Sequence, residues 1–164
     1  MDVTQLITKI NTLPKELVTL ILAMLPISEL RGAIPYGLHN GIPYFKVLII
    51  SLLGNLLPVV PLYFFLNKLL AFFNRFTLGK KFSNWLTTHT LKKSKVIQVY
   101  KMVGLIIFVG IPLPMTGAWT GTVASVLLNL RFKYYIIGIM AGVLLAAIIM
   151  SVLIFTIKSA FVIP

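Results

Sequence analysis

The sequence predicts an all-α integral membrane protein built as two inverted repeats, each a re-entrant helical hairpin followed by a spanning helix. Charged residues make up only 11% of the 164 residues and apolar residues 59%, whereas a soluble domain carries about 25% charge. Two apolar runs, 47–66 and 134–157, are long enough to cross a hydrocarbon core, which takes about 20 helical residues. The other apolar runs are shorter and stop at breaks rich in proline and glycine.

Two segments of the chain match each other at an offset of 85–88 residues. A short apolar arm of about ten residues rises only about 15 Å, half of a bilayer core. Each break is therefore predicted to be the tip of a hairpin that enters and leaves on one face. The spanning helix that follows adds one crossing, which inverts the second repeat; the alternative is a set of ordinary kinked helices. The matched residues, with their second-repeat partners, are Leu20 (Leu105), Ile21 (Ile106), Leu22 (Ile107), Pro26 (Pro112), Phe45 (Phe132), Lys46 (Lys133) and Gly54 (Gly142).

The chain is interpreted as a single membrane domain, 1–164. Its spanning helices are predicted at 43–73 and 133–158, the first of them kinked at Pro58 and Pro61 because proline removes a backbone donor. The predicted segments are an interfacial lead-in at 1–14, repeat 1 at about 15–73, a basic connector at 74–101 and repeat 2 at about 102–160.

The basic connector accounts for much of the net charge of +12. It holds no acidic residue, and an excess of Lys and Arg marks the cytoplasmic loops of membrane proteins. The connector is therefore predicted to be cytoplasmic, in a multi-pass protein of the inner (cell) membrane. A nucleic-acid partner, which such charge indicates in a soluble protein, is not expected. Its basic residues are Arg75, Lys80, Lys81, Lys92, Lys93, Lys95 and Lys101.

The residue inventory argues against catalysis and against a bound metal or cofactor. The chain has no cysteine, and His39 and His89 are far apart in sequence without a nearby carboxylate. Neither a Ser-His-Asp pattern nor a phosphate-binding glycine loop is present, so the protein is not predicted to be an enzyme. Transport by such a chain would use an ion gradient, for which protons are a candidate coupling ion, or run downhill.

The first break carries the candidate charged site. Glu29 is one of three acidic residues, and a carboxylate at membrane depth must be paired, hydrated or protonated. Glu29 is the candidate proton-coupling residue, and Arg31 the candidate ligand of an anionic headgroup. Ser28 is expected to cap the second arm and to line the site. The alternative is a structural Glu–Arg pair. The residues expected to shape this tip are Pro26, Pro35 and Gly37.

The second break offers hydroxyls and backbone instead of charge. The arm that follows Pro114 would present free N–H groups, which bind anions. The alternatives are a Gly-x-x-x-Gly helix contact and, for Trp119, an interfacial anchor. The candidate substrate-binding residues of this break are Thr116, Gly117, Trp119 and Thr120, and the tip residues are Pro112, Pro114 and Gly121.

The two break motifs, SELRGAIPYG at 28–37 and PLPMTGAWTG at 112–121, resemble the small multidrug export protein family. That family is in turn similar to the wider DedA/VTT superfamily of proteins with two re-entrant hairpins. The resemblance implies movement of polyprenyl phosphate or phospholipid between leaflets, often with dependence on protons. Glu29 and Arg31 would fill the acidic and basic roles of the first hairpin, whereas the second hairpin departs from the pattern because it lacks an arginine.

Three functional hypotheses follow. The first is a secondary transporter that moves an anionic lipid such as a polyprenyl phosphate between leaflets, coupled to protons. The second is an exporter of small cationic drugs, in which Glu29 is the counter-ion and Tyr36 and Trp119 offer aromatic faces. The third is a non-transporting membrane scaffold that uses the basic connector. The expected partners are the membrane, a lipid or lipophilic substrate, and a second copy of the chain in a homodimer.

Overall fold

The computed structural model describes residues 13–73, 95–113 and 116–161, and every regular element among them is a helix. Two stretches, Tyr44–Phe72 and Phe132–Ile157, are long and apolar enough to cross a membrane. The all-helical class predicted from the sequence is therefore confirmed, with two stretches that are capable of spanning a membrane. The helices are α1 (Lys15–Met24), α2 (Glu29–His39), α3 (Tyr44–Leu56), α4 (Val59–Phe73), α5 (Lys95–Gly110), α6 (Ala118–Leu127) and α7 (Phe132–Phe161).

The helices divide into two compact units. The first unit contains α1, α2, α3 and the end of α7 from Ala147 onward, and the second contains α4, α5, α6 and the rest of α7. The predicted lead-in and most of the basic connector, 74–94, lie outside the described residues. Helix α5 begins at Lys95, so residues 95–101 are helical and do not belong to the connector as the sequence suggested.

The first predicted spanning helix is interrupted at its first proline. Helix α3 ends at Leu56 and α4 begins at Val59, because Pro58 has no N–H to continue the helical ladder. Pro61 causes no second break, since it lies in the first turn of α4, where backbone N–H groups have no helical acceptor.

Polar bonds hold one end of the first unit. The Lys15 ammonium donates to the carbonyl of Asn40, 2.8 Å away, and joins the start of α1 to the end of α2. The Lys46 ammonium donates to the Glu16 carboxylate at 2.7 Å and joins α1 to the start of α3. This hydrogen bond from Lys46 holds the pKa of the exposed Glu16 below its usual range. The starts of α1 and α3 and the end of α2 therefore lie together.

Close glycine contacts pack the long helices against the short ones in both units. A side chain at Gly54 would place its Cβ 2.7 Å from the Leu20 carbonyl oxygen and 2.8 Å from the Ala23 Cβ, both on α1. A side chain at Gly142 would meet the Val109 Cβ at 2.7 Å and the Ile106 carbonyl at 3.1 Å, both on α5. In each unit a helix backbone approaches its neighbour at a glycine.

The same turn ends α2 and α6. Three backbone hydrogen bonds close the end of α2. Three equivalent bonds, with every donor and acceptor 88 positions further along the chain, close the end of α6. Gly41 (φ 76°) and Asn129 (φ 51°) have the same left-handed conformation at equivalent places. Lys101 donates to the Leu128 carbonyl at 2.7 Å, as Lys15 does to that of Asn40. The bonds run from N–H to carbonyl as Asn40 to Tyr36, Gly41 to Leu38, Ile42 to Gly37, Leu128 to Ala124, Asn129 to Val126, and Leu130 to Ser125.

Candidate functional site

Glu29 is the first residue of α2 and has a left-handed backbone, with φ 46°. Such a conformation costs a non-glycine residue about 1–3 kcal/mol, and it persists only where the surrounding structure enforces it. The residue is 5% exposed. Backbone strain and a buried carboxylate therefore coincide at the residue that the sequence singled out.

Arg31 provides the opposite charge that a buried carboxylate needs. Its Nη2 lies 4.0 Å from Oε2 of Glu29, and the arginine side chain is 23% exposed. This distance is at the outer limit of an ion pair, so the guanidinium neutralises the carboxylate without a tight contact. The arrangement fits both a structural pair and a site in which a ligand replaces the arginine.

Ser28 does not cap α2 as the sequence suggested. It occupies the position before the helix, but its side chain makes no capping hydrogen bond. Capping residues have an extended backbone, whereas Ser28 is helical at φ −89° and ψ −55°. Its hydroxyl lies against Gly32, where a Cβ would collide with it. A glycine at 32 therefore makes room for Ser28.

Three of the residues expected at the hairpin tips lie inside helices. Pro35 and Gly37 belong to α2, and Gly121 belongs to α6. Pro35 is tolerated on the exposed side of α2. The two glycines serve helix packing, since a Cβ at Gly37 would meet Val47 at 2.8 Å and one at Gly121 would meet Val109 at 2.5 Å. Pro26 and Pro112 do lie in the breaks, and Pro114 is outside the described residues.

Two buried polar residues on α3 were missed by the sequence analysis. Ser51 is 0% and Asn55 1% exposed, and they are one turn apart on one face. Among the described residues, Ser51 Oγ and Asn55 Oδ1 are the buried side-chain atoms that have no hydrogen-bond partner. Such an orphaned group costs about 1–3 kcal/mol. The signal was present in the sequence as a polar i, i+4 pair within an apolar run.

Asn55 and Glu29 lie at the same end of the first unit. The backbone N–H of Glu29 donates to the Leu25 carbonyl at 3.0 Å, just beyond the end of α1. Gly54, the neighbour of Asn55, packs against Ala23 near that same end. The charged pair and Asn55 therefore lie toward the same end of this unit, away from the end held by Lys15 and Lys46, and Ser51 is one turn of α3 closer to Lys46.

The hydroxyls of the second break are engaged within the break itself. The Thr116 hydroxyl donates towards the carbonyls of Ile111 (2.7 Å) and Leu113 (2.9 Å). The Thr120 hydroxyl donates to the Gly117 carbonyl at 3.3 Å. Helix α6 starts after Gly117 without a side-chain cap, and Trp119 is half-buried in its first turn. The threonines shape the backbone here, and their part in binding stays a prediction.

An aromatic cluster that the sequence did not reveal organises the second unit. Tyr63 and Tyr135 stack with ring centroids 4.3 Å apart. The Tyr135 hydroxyl donates to the Val59 carbonyl at 2.8 Å and lies 3.1 Å from Thr122 Oγ1. The Tyr63 hydroxyl donates to the Leu130 carbonyl at 2.8 Å. The cluster therefore joins α4, α6 and α7 around buried hydroxyls.

Replacing Tyr135 with phenylalanine should destabilise the protein by about 1–2 kcal/mol, because it removes the donor of a buried hydrogen bond and leaves the Val59 carbonyl without it. Thermal unfolding in detergent measures the change. Tyr100→Phe is the matched control, since Tyr100 is 74% exposed, and it should leave the midpoint unchanged. Equal midpoints for the two variants would contradict this role.

The apolar helices are those of an integral membrane protein, and the first unit adds a polar site of a buried carboxylate, the partly exposed Arg31 beside it and two orphaned oxygens. The chain belongs to the family described as "Putative small multi-drug export protein", whose model matches residues 29–149, more than half of the sequence. This membership confirms the resemblance to that family and makes the protein a membrane transporter, not an enzyme. No curated protein and no solved structure matched the chain.

Proposed function

We propose that this protein exports small lipophilic cations across the inner membrane, in which it is a multi-pass protein, and that Glu29 is the carboxylate that binds them. The observation that carries the proposal is the buried, strained Glu29 with an arginine 4.0 Å away. The family description favours export of small molecules over the anionic lipid that the sequence analysis placed first.

The helix lengths support a re-entrant arrangement for the first hairpin. Helix α1 has 10 residues and rises about 15 Å, half of a bilayer core. With Lys15, Glu16 and Lys46 at the membrane surface, the break before Glu29 would then lie near the midplane. Transporters built from inverted repeats bind their substrates at that depth, where broken helices meet.

The recurring contacts support an internal repeat. The glycine contacts of α3 and α7, the turns after α2 and α6, and the bonds of Lys15 and Lys101 correspond one to one. With one crossing between the two hairpins, the second repeat would be inverted.

A single carboxylate suffices for exchange of a cation against a proton. In the empty state Arg31 pairs with Glu29. A lipophilic cation that reaches the site replaces the guanidinium as counter-ion, and Tyr36, half-buried on α2, offers it an aromatic face. A protonated Glu29 cannot hold the cation electrostatically, so cation and proton bind in turn. The proton gradient would thereby drive export.

Transport into proteoliposomes tests the proposal with two cargoes, a lipophilic quaternary cation and a fluorescent polyprenyl phosphate. We expect the protein to accelerate cation movement and Arg31→Ala to retain it, because the competing charge is gone. Arg31→Lys, which keeps the charge, is the control. Acceleration of the lipid alone, lost in Arg31→Ala, would replace export with lipid translocation. No acceleration of either cargo would overturn the proposal and favour the scaffold hypothesis.

A further inference from the structure

The orphaned oxygens of α3 point to a second element of recognition. We propose that Ser51 Oγ and Asn55 Oδ1 accept hydrogen bonds from the bound cation, so that the site selects protonated amines over quaternary cations. This inference rests on the proposed function, because it assigns the substrate class of the same site.

Burial and lack of partners carry the inference. Both side chains are at most 1% exposed, and both oxygens lack a hydrogen-bond partner within the described part of the chain. The great majority of buried polar atoms in proteins are paired. Two unpaired buried oxygens one turn apart therefore indicate that a bound ligand supplies the missing hydrogen-bond donor.

The position of the pair fits a donor that is also a cation. Asn55 follows Gly54, which packs on Ala23 near the end of α1. The N–H of Glu29, the first residue of α2, bonds to the carbonyl of Leu25 just beyond that end. A primary ammonium carries three N–H donors. One would face the Glu29 carboxylate and the others the two oxygens of α3. A quaternary cation has no N–H, so it would pair with the Glu29 charge but leave both α3 oxygens without a hydrogen bond.

The second half of the chain shows that this helix face does not need polar residues to pack. Gly54 and Gly142 make corresponding contacts, and the same 88-residue offset pairs Ser51 with Ile139 and Asn55 with Val143. Ile139 and Val143 are buried as well, with 0% and 1% of their surface exposed. The polar pair is therefore a feature of the first half alone, the half that also contains the buried carboxylate of Glu29.

Competition binding in detergent tests the selectivity and avoids the spontaneous membrane passage of neutral amines. The purified protein is loaded with a labelled lipophilic quaternary cation, which is displaced by a lipophilic primary amine or by its N-trimethyl analogue. A site built around hydrogen-bond acceptors rejects a ligand that lacks the donor. We expect the amine to bind at least about tenfold more tightly than the trimethyl analogue.

The variants are Ser51→Ala and Asn55→Val, the latter placing at 55 the residue found at the equivalent position 143. Each should reduce the preference for the amine and leave the affinity for the trimethyl analogue unchanged. Ser125→Ala is the matched control, because Ser125 is buried but its hydroxyl donates to the Thr122 carbonyl at 2.7 Å. This control should keep the full preference.

The outcomes separate the two proposals. Equal binding of the amine and the trimethyl analogue, unchanged in the variants, would overturn the selectivity and leave cation export standing. Loss of both ligands together in correctly folded Asn55→Val would overturn it as well, since the residue would then be structural. Failure of the wild type to bind either ligand would overturn both proposals.

Discussion

Replacing Glu29 with asparagine is expected to weaken cation binding and export by about 30- to 5,000-fold, the usual effect of removing one member of a buried charge pair. Asparagine is one of the few residues that adopt the left-handed conformation readily, so the backbone at φ 46° is preserved. Arg31 loses its counter-charge, but its side chain is 23% exposed and can reach other polar groups. The variant should therefore fold and fail to transport.

Glu16→Gln is the matched control for this change. Glu16 also pairs with a basic residue, Lys46 at 2.7 Å, but its side chain is 41% exposed and lies at the other end of α1. Its removal should leave transport within about twofold, as exposed ion pairs contribute little. Full transport by a folded Glu29→Asn protein in proteoliposomes would show that the carboxylate is not the binding group.

A second comparison separates strain from charge at this position. Glu29→Gln removes the charge but keeps a side chain that disfavours positive φ, whereas Glu29→Asn removes the charge and tolerates it. The asparagine variant should therefore be the more stable of the two by about 1 kcal/mol. The two should be equally inactive, because the charge and not the strain binds the cation.

The sequence predicted the helices and breaks well where prolines interrupt apolar runs. The first break lies at 25–28 and the second at 111–117, as Pro26 and Pro112 indicated. The start of α5 was missed because its basic residues looked like a loop. Gln98 is only 4% exposed and accepts a bond from the Arg131 N–H at 3.1 Å, a stabilisation that depends on tertiary contacts and not on local propensity.

The candidate site was predicted only in part for the same reason. Glu29 stood out because acidic residues are rare in this chain, but its left-handed backbone follows from how α1 and α2 are joined. Ser51 and Asn55 were visible as a polar pair, yet whether they have partners is settled by packing alone. The sequence thus identifies which residues can bind a ligand, whereas only the three-dimensional structure shows which of their polar atoms lack a hydrogen-bond partner.

The structure defines the offset between the two repeats more sharply than the sequence does. The matches drift between 85 and 88 residues. The structural contacts give an offset of 86 for the first arm, where Ala23 corresponds to Val109, and 88 from the turns onward, where Asn40 corresponds to Leu128. The difference arises in the breaks, since the second is longer than the first.

Replacing Gly54 or Gly142 with alanine should destabilise the protein by about 1–3 kcal/mol, the usual cost of overpacking. The new Cβ at Gly54 would lie 2.7 Å from the Leu20 carbonyl, and that at Gly142 2.7 Å from the Val109 Cβ. Backbone and β-carbon atoms cannot rotate away as flexible side chains do. In a bilayer the loss is the more serious because close packing at small residues, and not the hydrophobic effect, holds helices together.

Gly104→Ala provides the matched control within a helix of the same type. A Cβ there meets nothing within 4 Å, so the substitution should stabilise the protein by about 0.5–1 kcal/mol through the lower entropy of the unfolded chain. Thermal unfolding of the three purified variants in one detergent gives the comparison. Destabilisation at Gly54 and Gly142 of similar size, with none at Gly104, would show that both halves pack by the same contact. A stable Gly142→Ala beside an unstable Gly54→Ala would instead confine that contact to the first half and weaken the case for a repeat.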